Sequence, residues 1–208
     1  ALMTCICCTT EAPVVETAET NQELAFSPEP VRCFKVSIEK PSDDTPLGLH
    51  LDLSDNVMVH ICGVRQGSSP VTAYNAKASP ELKIQPGDYI VMVNNVSNDY
   101  KTMIEELAKN TQLELEVRHP YTFGASIDKK GGAMGLDLNY AKMGKSLVVD
   151  GVYEGAVQDW NKANPCFEIL KGDRIVSVNG KSGTPVELLE KISKTSPVEL
   201  TISRPSVK

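Results

Sequence analysis

Much is absent from this chain of 208 residues, and each absence narrows what it can be. No uninterrupted apolar run approaches the roughly 18 residues of a membrane-spanning helix, so no such helix is expected. Positive charge is not in excess: 27 acidic residues outweigh 21 basic ones, for a formal charge of −6. That argues against nucleic acid, because duplex binding relies on Lys and Arg neutralising phosphates. Six cysteines are too sparse and too irregularly spaced for a disulfide framework. A reducing compartment is expected, the cytoplasm or the stromal face of an organelle. Catalytic signatures are missing as well, with no Gly-x-Ser-x-Gly elbow and no phosphate-binding Gly-Lys-Ser/Thr run. The three histidines, His50, His60 and His119, fall in alternating strands or at a junction and suit structural or surface roles. No enzyme, cofactor or metal site is expected. What remains, 41% apolar and 23% charged with 14 Gly and 13 Pro, is the mixture of a globular protein.

Charge is divided unevenly: residues 1–32 carry −4, 33–119 carry −4 and 120–208 carry +2. The first segment is an extended acidic tail by this reading. Its stretch 11–30 is rich in Glu, Thr, Ala and Pro and shows neither the period of a strand nor that of a helix. Ahead of it stands Cys5-Ile6-Cys7-Cys8, which lacks the second pair that a zinc site needs. Two readings of Cys5, Cys7 and Cys8 stay open, an unmodified terminus and a lipid-bearing one that attaches the protein to a membrane surface. The chain begins at Ala1, which leaves a processed or fragmentary terminus open.

The strongest signal is an internal repeat. Gly87-Asp88, Ile90, Val93 and Asn94 recur as Gly172-Asp173, Ile175, Val178 and Asn179, an offset of 85 residues. Leu47-Gly48-Leu49 returns as Met134-Gly135-Leu136, Tyr74-Asn75 as Trp160-Asn161, and Leu113-Glu114-Leu115 as Val198-Glu199-Leu200. The chain therefore divides into a tail, 1–32, and two homologous domains, 33–119 and 120–208. Each reads as three early strands by period 2, a short helix, a strand after Gly-Asp, a second helix and a closing strand. Thr184-Pro185-Val186-Glu187 is a capping box that starts the last helix.

Within each repeat, an apolar–Gly–apolar loop precedes the second strand. Consecutive backbone N–H groups converge there with no Cβ in the way at the glycine, and such a nest holds an anion. One stripe of the late helix would face it, Tyr100, Ile104 and Leu107 in the first repeat and Pro185, Leu189 and Ile192 in the second. A strand edge opposite an apolar helical stripe forms a groove to which an extended peptide adds as a further strand. Asp43 and Asp44 precede the first loop, whereas Lys129 and Lys130 precede the second, so the second is expected to be the better receptor for a carboxylate.

On these loops, the Gly-Asp segments and the late helices, each repeat resembles a PDZ domain, over roughly residues 33–205. The resemblance implies an α+β, mostly β fold: two small, partly open β-barrels, each capped by two helices. It implies binding of protein C-termini between the second strand and second helix. The amides of Leu47, Gly48 and Leu49, and of Met134, Gly135 and Leu136, would hold the terminal carboxylate. The first helix position, often His in the family, falls on Tyr100 and Pro185. Two functions follow as expectations. One is a non-enzymatic tandem adaptor that binds C-terminal or internal peptide segments. The other is a peripheral structural subunit docked on a larger, membrane-bound complex, with the grooves not used for free C-termini.

Overall fold

The computed structural model describes residues 33–205; Cys5, Cys7 and Cys8 lie outside the described residues. The first half runs β1 (Cys33–Glu39), β2 (Leu49–Asp52), β3 (Val59–Val64), α1 (Pro70–Lys77), β4 (Tyr89–Val93), β5 (Val96–Ser97), α2 (Tyr100–Lys109) and β6 (Gln112–Arg118). The second runs β7 (Tyr121–Ile127), β8 (Leu136–Asn139), β9 (Leu147–Val152), α3 (Ala156–Ala163), β10 (Arg174–Val178), α4 (Pro185–Lys194) and β11 (Val198–Arg204). The first sheet is ordered β1-β6-β4-β3-β2, with β5 added on β4. The second is ordered β7-β11-β10-β9-β8, the same path. Both sheets are antiparallel and open. This is the mostly β fold with two helices per unit that the resemblance implies.

Alternation builds the strands. Phe34, Val36 and Ile38 point into the core from β1 while Cys33, Lys35, Ser37 and Glu39 face out. They pair in register with Val117, Leu115 and Leu113 of β6. In the second sheet Phe123, Ala125 and Ile127 meet Ile202, Leu200 and Val198 in the same way. Each half encloses its own core, with Val71, Met103 and Leu107 closing the first and Val157, Leu188 and Ile192 the second.

The polar residues of the repeat tie loops to backbone. Asn75 bonds both the N–H and the carbonyl of Ile84, and Asn161 does the same to Ile169, at 2.8–2.9 Å. Asn94 and Asn179 each accept from the closing strand, at Glu114 N and Glu199 N, both 2.9 Å. Asp88 accepts from Gln85 N and Asp173 from Leu170 N, which closes each turn around a glycine at φ +102 or +91. Repeated Asn and Asp thus serve the fold rather than chemistry.

Only His119 and Pro120 connect β6 to β7. The halves also meet through a buried ion cluster. Arg174, at the start of β10 and fully buried, donates Nη1 to Asp52 Oδ2 and Nη2 to Asp55 Oδ2, each at 2.8 Å. Ser146 Oγ accepts from the same Nη1 at 3.2 Å, and Asn139 Nδ2 donates to Ser54 O at 3.1 Å. Burial alone would push the Asp52 carboxyl up, but the guanidinium and the Ser54 hydrogen bonds outweigh it and hold it below the usual range. Beside them His60 packs against Tyr89, the rings tilted by 52° with centroids 5.0 Å apart. Burial, with Arg174 adding to it, pushes the His60 imidazole down to about 3.

Candidate functional site

The loop before β2 is shaped by where its carbonyls go. Leu47 O accepts from Val71 N at the start of α1, and Gly48 O from Arg65 N. In the second half Met134 O accepts from Val157 N and Gly135 O from Tyr153 N. With the carbonyls committed inward, the N–H groups of Leu47, Gly48, Met134 and Gly135 donate to no group among the described residues. A buried or half-buried N–H without a partner is costly, so these four amides are placed to receive an acceptor.

Glycine is required in both loops, for different neighbours. Gly48 has φ +88, and a Cβ there would fall 2.2 Å from Ser69 Oγ. Gly135 has φ +74, and a Cβ would fall 2.7 Å from Tyr153 O and 2.9 Å from Glu154 O. Both conformations lie in the left-handed region, where glycine is at ease and other residues are strained.

Beyond each loop runs an edge strand. β2 and β8 end their sheets, so one side of each is free to pair with an added chain. In the first half Leu47, Leu49, Tyr100 and Ile104 are half-buried and pack on one core, which puts both walls of the groove over a shared floor. In the second, Met134, Leu136 and Leu189 do the same. Leu107 and Ile192, each only 6% exposed, belong to those floors, and Pro185 is buried as well. Met103 and Leu188, which the spacing did not single out, are the deepest residues of the two helices. The helical face turned to the core is thus rotated by about one residue from the stripe read in the sequence, leaving Tyr100, Ile104 and Leu189 as the accessible members.

The helices are fixed at both ends. Asp99 accepts from Lys101 N and Thr102 N at the start of α2, and Thr184 with Glu187 forms the expected capping box on α4. At the other end Lys129 Nζ donates to Ile192 O and Ser193 O at 2.9 and 3.0 Å. Lys40 does the same for α2, reaching Leu107 O and Ala108 O at 3.2 and 2.9 Å. Lys129 therefore satisfies orphan helix carbonyls, and its counterpart in the first half cancels its weight in any comparison of the grooves. Lys130 is exposed beside the second loop, where the first has Asp43 and Asp44. The charge contrast survives, on fewer groups.

The first groove carries one contact with no parallel in the second. Tyr100, the first residue of α2, sends its phenol to Asn56 Oδ1 at 3.3 Å in the β2–β3 turn. Neither His60 nor His119 is arranged for catalysis: His60 is buried between Tyr89 and the Arg174 ion cluster, and His119 bonds Asp88 Oδ1 and Glu81 O at 2.7 and 3.0 Å. Among the described residues no cluster of His, Cys, Asp and Glu could hold a metal, and no helix is long and apolar enough to cross a membrane.

No family model matches the chain, and no curated protein matches it. Solved structures do. "Structure of INAD PDZ45 in complex with NG2 peptide" is 15% identical, covering 86% of this chain and 92% of its own, at a TM-score of 0.35. "Complex structure of INAD PDZ45 and NORPA CC-PBM" is also 15% identical, covering 86% and 96%, at 0.36. The topology stands on this chain's own strand registers.

Proposed function

We propose that this protein is a non-enzymatic tandem adaptor that takes extended peptide segments, C-terminal ones above all, into the two grooves by strand addition. The observation that carries the reading is the set of four unpartnered amides, at Leu47, Gly48, Met134 and Gly135, each pair heading a free strand edge. A carboxylate accepts from converging N–H groups, the added strand takes up the edge's main-chain groups, and the half-buried side chains receive alternate ligand residues. Leu49, Tyr100 and Ile104 would line the first groove, Leu136 and Leu189 the second, with Lys130 drawing an anionic terminus toward Met134 and Gly135. The organisation that goes with it is the acidic tail 1–32 followed by domains 33–119 and 120–208. Cys5, Cys7 and Cys8 carry lipid that holds the protein to a membrane surface in a reducing compartment.

A randomised library of C-terminal peptides, offered in acid and amide forms, tests the central claim. Acid forms should bind at least tenfold more tightly, perturbing the amide signals of Gly48 and Gly135. Equal binding of both forms, or none, would instead support a structural subunit recovered only with its complex. Changing the three cysteines to Ser should shift the protein from the membrane to the soluble fraction; an unchanged distribution removes the anchor from the proposal.

A further inference from the structure

The β2–β3 turn of the first half is where the two halves and the first groove meet. Arg174 of the second half reaches two carboxylates there, Asp52 at the end of β2 and Asp55 in the turn. Asp55 is held on both sides, since its Oδ1 accepts from Val57 N and Met58 N at 3.0 and 2.9 Å while its Oδ2 faces the guanidinium. Between them lies Asn56, in the left-handed region at φ +56, so its side-chain direction follows from the turn's backbone. Its Oδ1 accepts from the Tyr100 phenol across the mouth of the groove. Arg174, Asp55, Asn56 and Tyr100 form one connected path from the second half to the helix that walls the first groove.

The second half has no such path. Its late helix starts with Pro185, which offers no side-chain donor, and its corresponding turn displays Tyr140 and Met143, 40% and 85% exposed. The position of Arg174 is filled in the first half by Tyr89, which is buried against His60. The two sheets share one strand order, and the halves differ at this place.

Resting on the peptide-binding reading above, we propose that the second half gates the first groove. Arg174 pins the β2–β3 turn, the turn presents Asn56, and the Asn56–Tyr100 bond closes the groove beyond the four residues of β2. The first groove accordingly takes a short chain end, about four residues pairing with Leu49–Asp52, whereas the second takes a segment that continues past its strand. The ligand classes differ: a free terminus with little upstream contact for the first groove, and a longer tail for the second.

The test compares tetrapeptide and octapeptide libraries sharing their last four randomised positions, titrated into the full chain and followed at the Gly48 and Gly135 amides. In the wild-type protein the octapeptides should gain threefold or more over the tetrapeptides at Gly135 and nothing at Gly48. Tyr100→Phe and Asn56→Gly, the latter suited to the positive φ, should each give Gly48 the same gain. Arg174→Met should do so from a distance. Should it fail to fold, Arg174→Met combined with Asp52→Asn and Asp55→Asn removes the charges together. Hydrogen exchange at Val57 and Met58 should quicken tenfold in the Arg174 variants. A length gain at Gly48 already present in the wild type, or absent from all variants that bind tetrapeptides there, overturns the gate. No response at either glycine with any peptide overturns the peptide reading and the gate with it, while unchanged exchange at Val57 and Met58 overturns the gate alone.

Discussion

His119 Nδ1 lies 2.7 Å from Asp88 Oδ1, in the place where Arg204 Nε lies 2.8 Å from Asp173 Oδ1 in the second half. Each pair joins the Gly-Asp turn to the residue that ends or follows the closing strand, 31 residues later in both cases. The repeat has kept the contact while exchanging an imidazole for a guanidinium.

These pairs differ in depth, and so should their worth. The carboxylates are equally deep, Asp173 at 4% and Asp88 at 2% exposed, but Arg204 is 9% exposed against 21% for His119. Arg204→Ala leaves a buried carboxylate without its charge partner and should cost about 3–5 kcal/mol. His119→Ala opens a partly exposed place through which water reaches Asp88 and takes up the lost bond, and should cost about 1–2 kcal/mol. Urea unfolding of the two variants measures both; an equal cost would contradict the burial argument.

Acid should weaken the protein through His60. The folded protein refuses a proton there until about pH 3, because burial and Arg174 disfavour the imidazolium, although Asp52 and Asp55 oppose them. The unfolded chain takes that proton near 6.5. Stability is therefore complete above pH 6.5 and falls as pH drops toward 3, by about 1.4 kcal/mol per unit at full slope. Asp52, held low, adds its own loss only below its unfolded value of 3.8. Between pH 7 and 5 the wild type should lose about 2 kcal/mol in urea unfolding. His60→Phe should flatten that slope; an unchanged slope would place the proton elsewhere.

Alanine at the two loop glycines should not be equivalent. At position 135 the new methyl meets main-chain oxygens of Tyr153 and Glu154, which cannot move without shifting β9. At position 48 it meets a serine hydroxyl, whose removal relieves the contact. Gly135→Ala should cost roughly 3 kcal/mol or more, from strain and clash together. Gly48→Ala should regain about 1 kcal/mol when combined with Ser69→Gly, a residue N-caps tolerate. Thermal unfolding of the single and double variants decides this, and no rescue at position 48 would discard the steric account.

The halves should tumble as one body. His119 is bonded to Asp88 and Glu81, Pro120 fixes its own φ, and the Arg174 cluster joins the sheets away from the connection. Nitrogen-15 relaxation should return one rotational correlation time for residues 33–118 and 121–205. Two distinct times would show the ion cluster open in solution.

How much of this was written in the order of residues varies by feature. Period-2 alternation in 33–39 and the offset of 85 were enough to place β1, β6 and their copies, because a half-buried strand leaves its pattern in consecutive residues. The glycine loops before β2 and β8 were legible for a similar reason, being local. The helical stripe was displaced by about one position, since Tyr100, Ile104 and Leu107 match the helical period nearly as well as Met103 and Leu107 do, and only packing chooses between them. Lys129 looked like a ligand-attracting cation, but its partners lie 63 and 64 residues away at the end of α4, beyond any spacing rule. Arg174 was passed over inside a matched segment. An arginine where the copy has Tyr89, opening a strand that continues Ile175, Val176 and Val178, was the available signal that a charge would be buried and need acids from elsewhere.

The ion cluster also imposes an order on the making of the protein. Asp52 leaves the ribosome 122 residues before Arg174, an interval of roughly 6–25 s at about 5–20 residues per second. By residue 118 the first sheet and its core are complete, so that half is finished while its two carboxylates still stand in water. Translation that stalls inside that interval leaves a well-formed fragment with an uncovered acidic patch, and arrival of the arginine is the chemical mark that the chain has reached its second half.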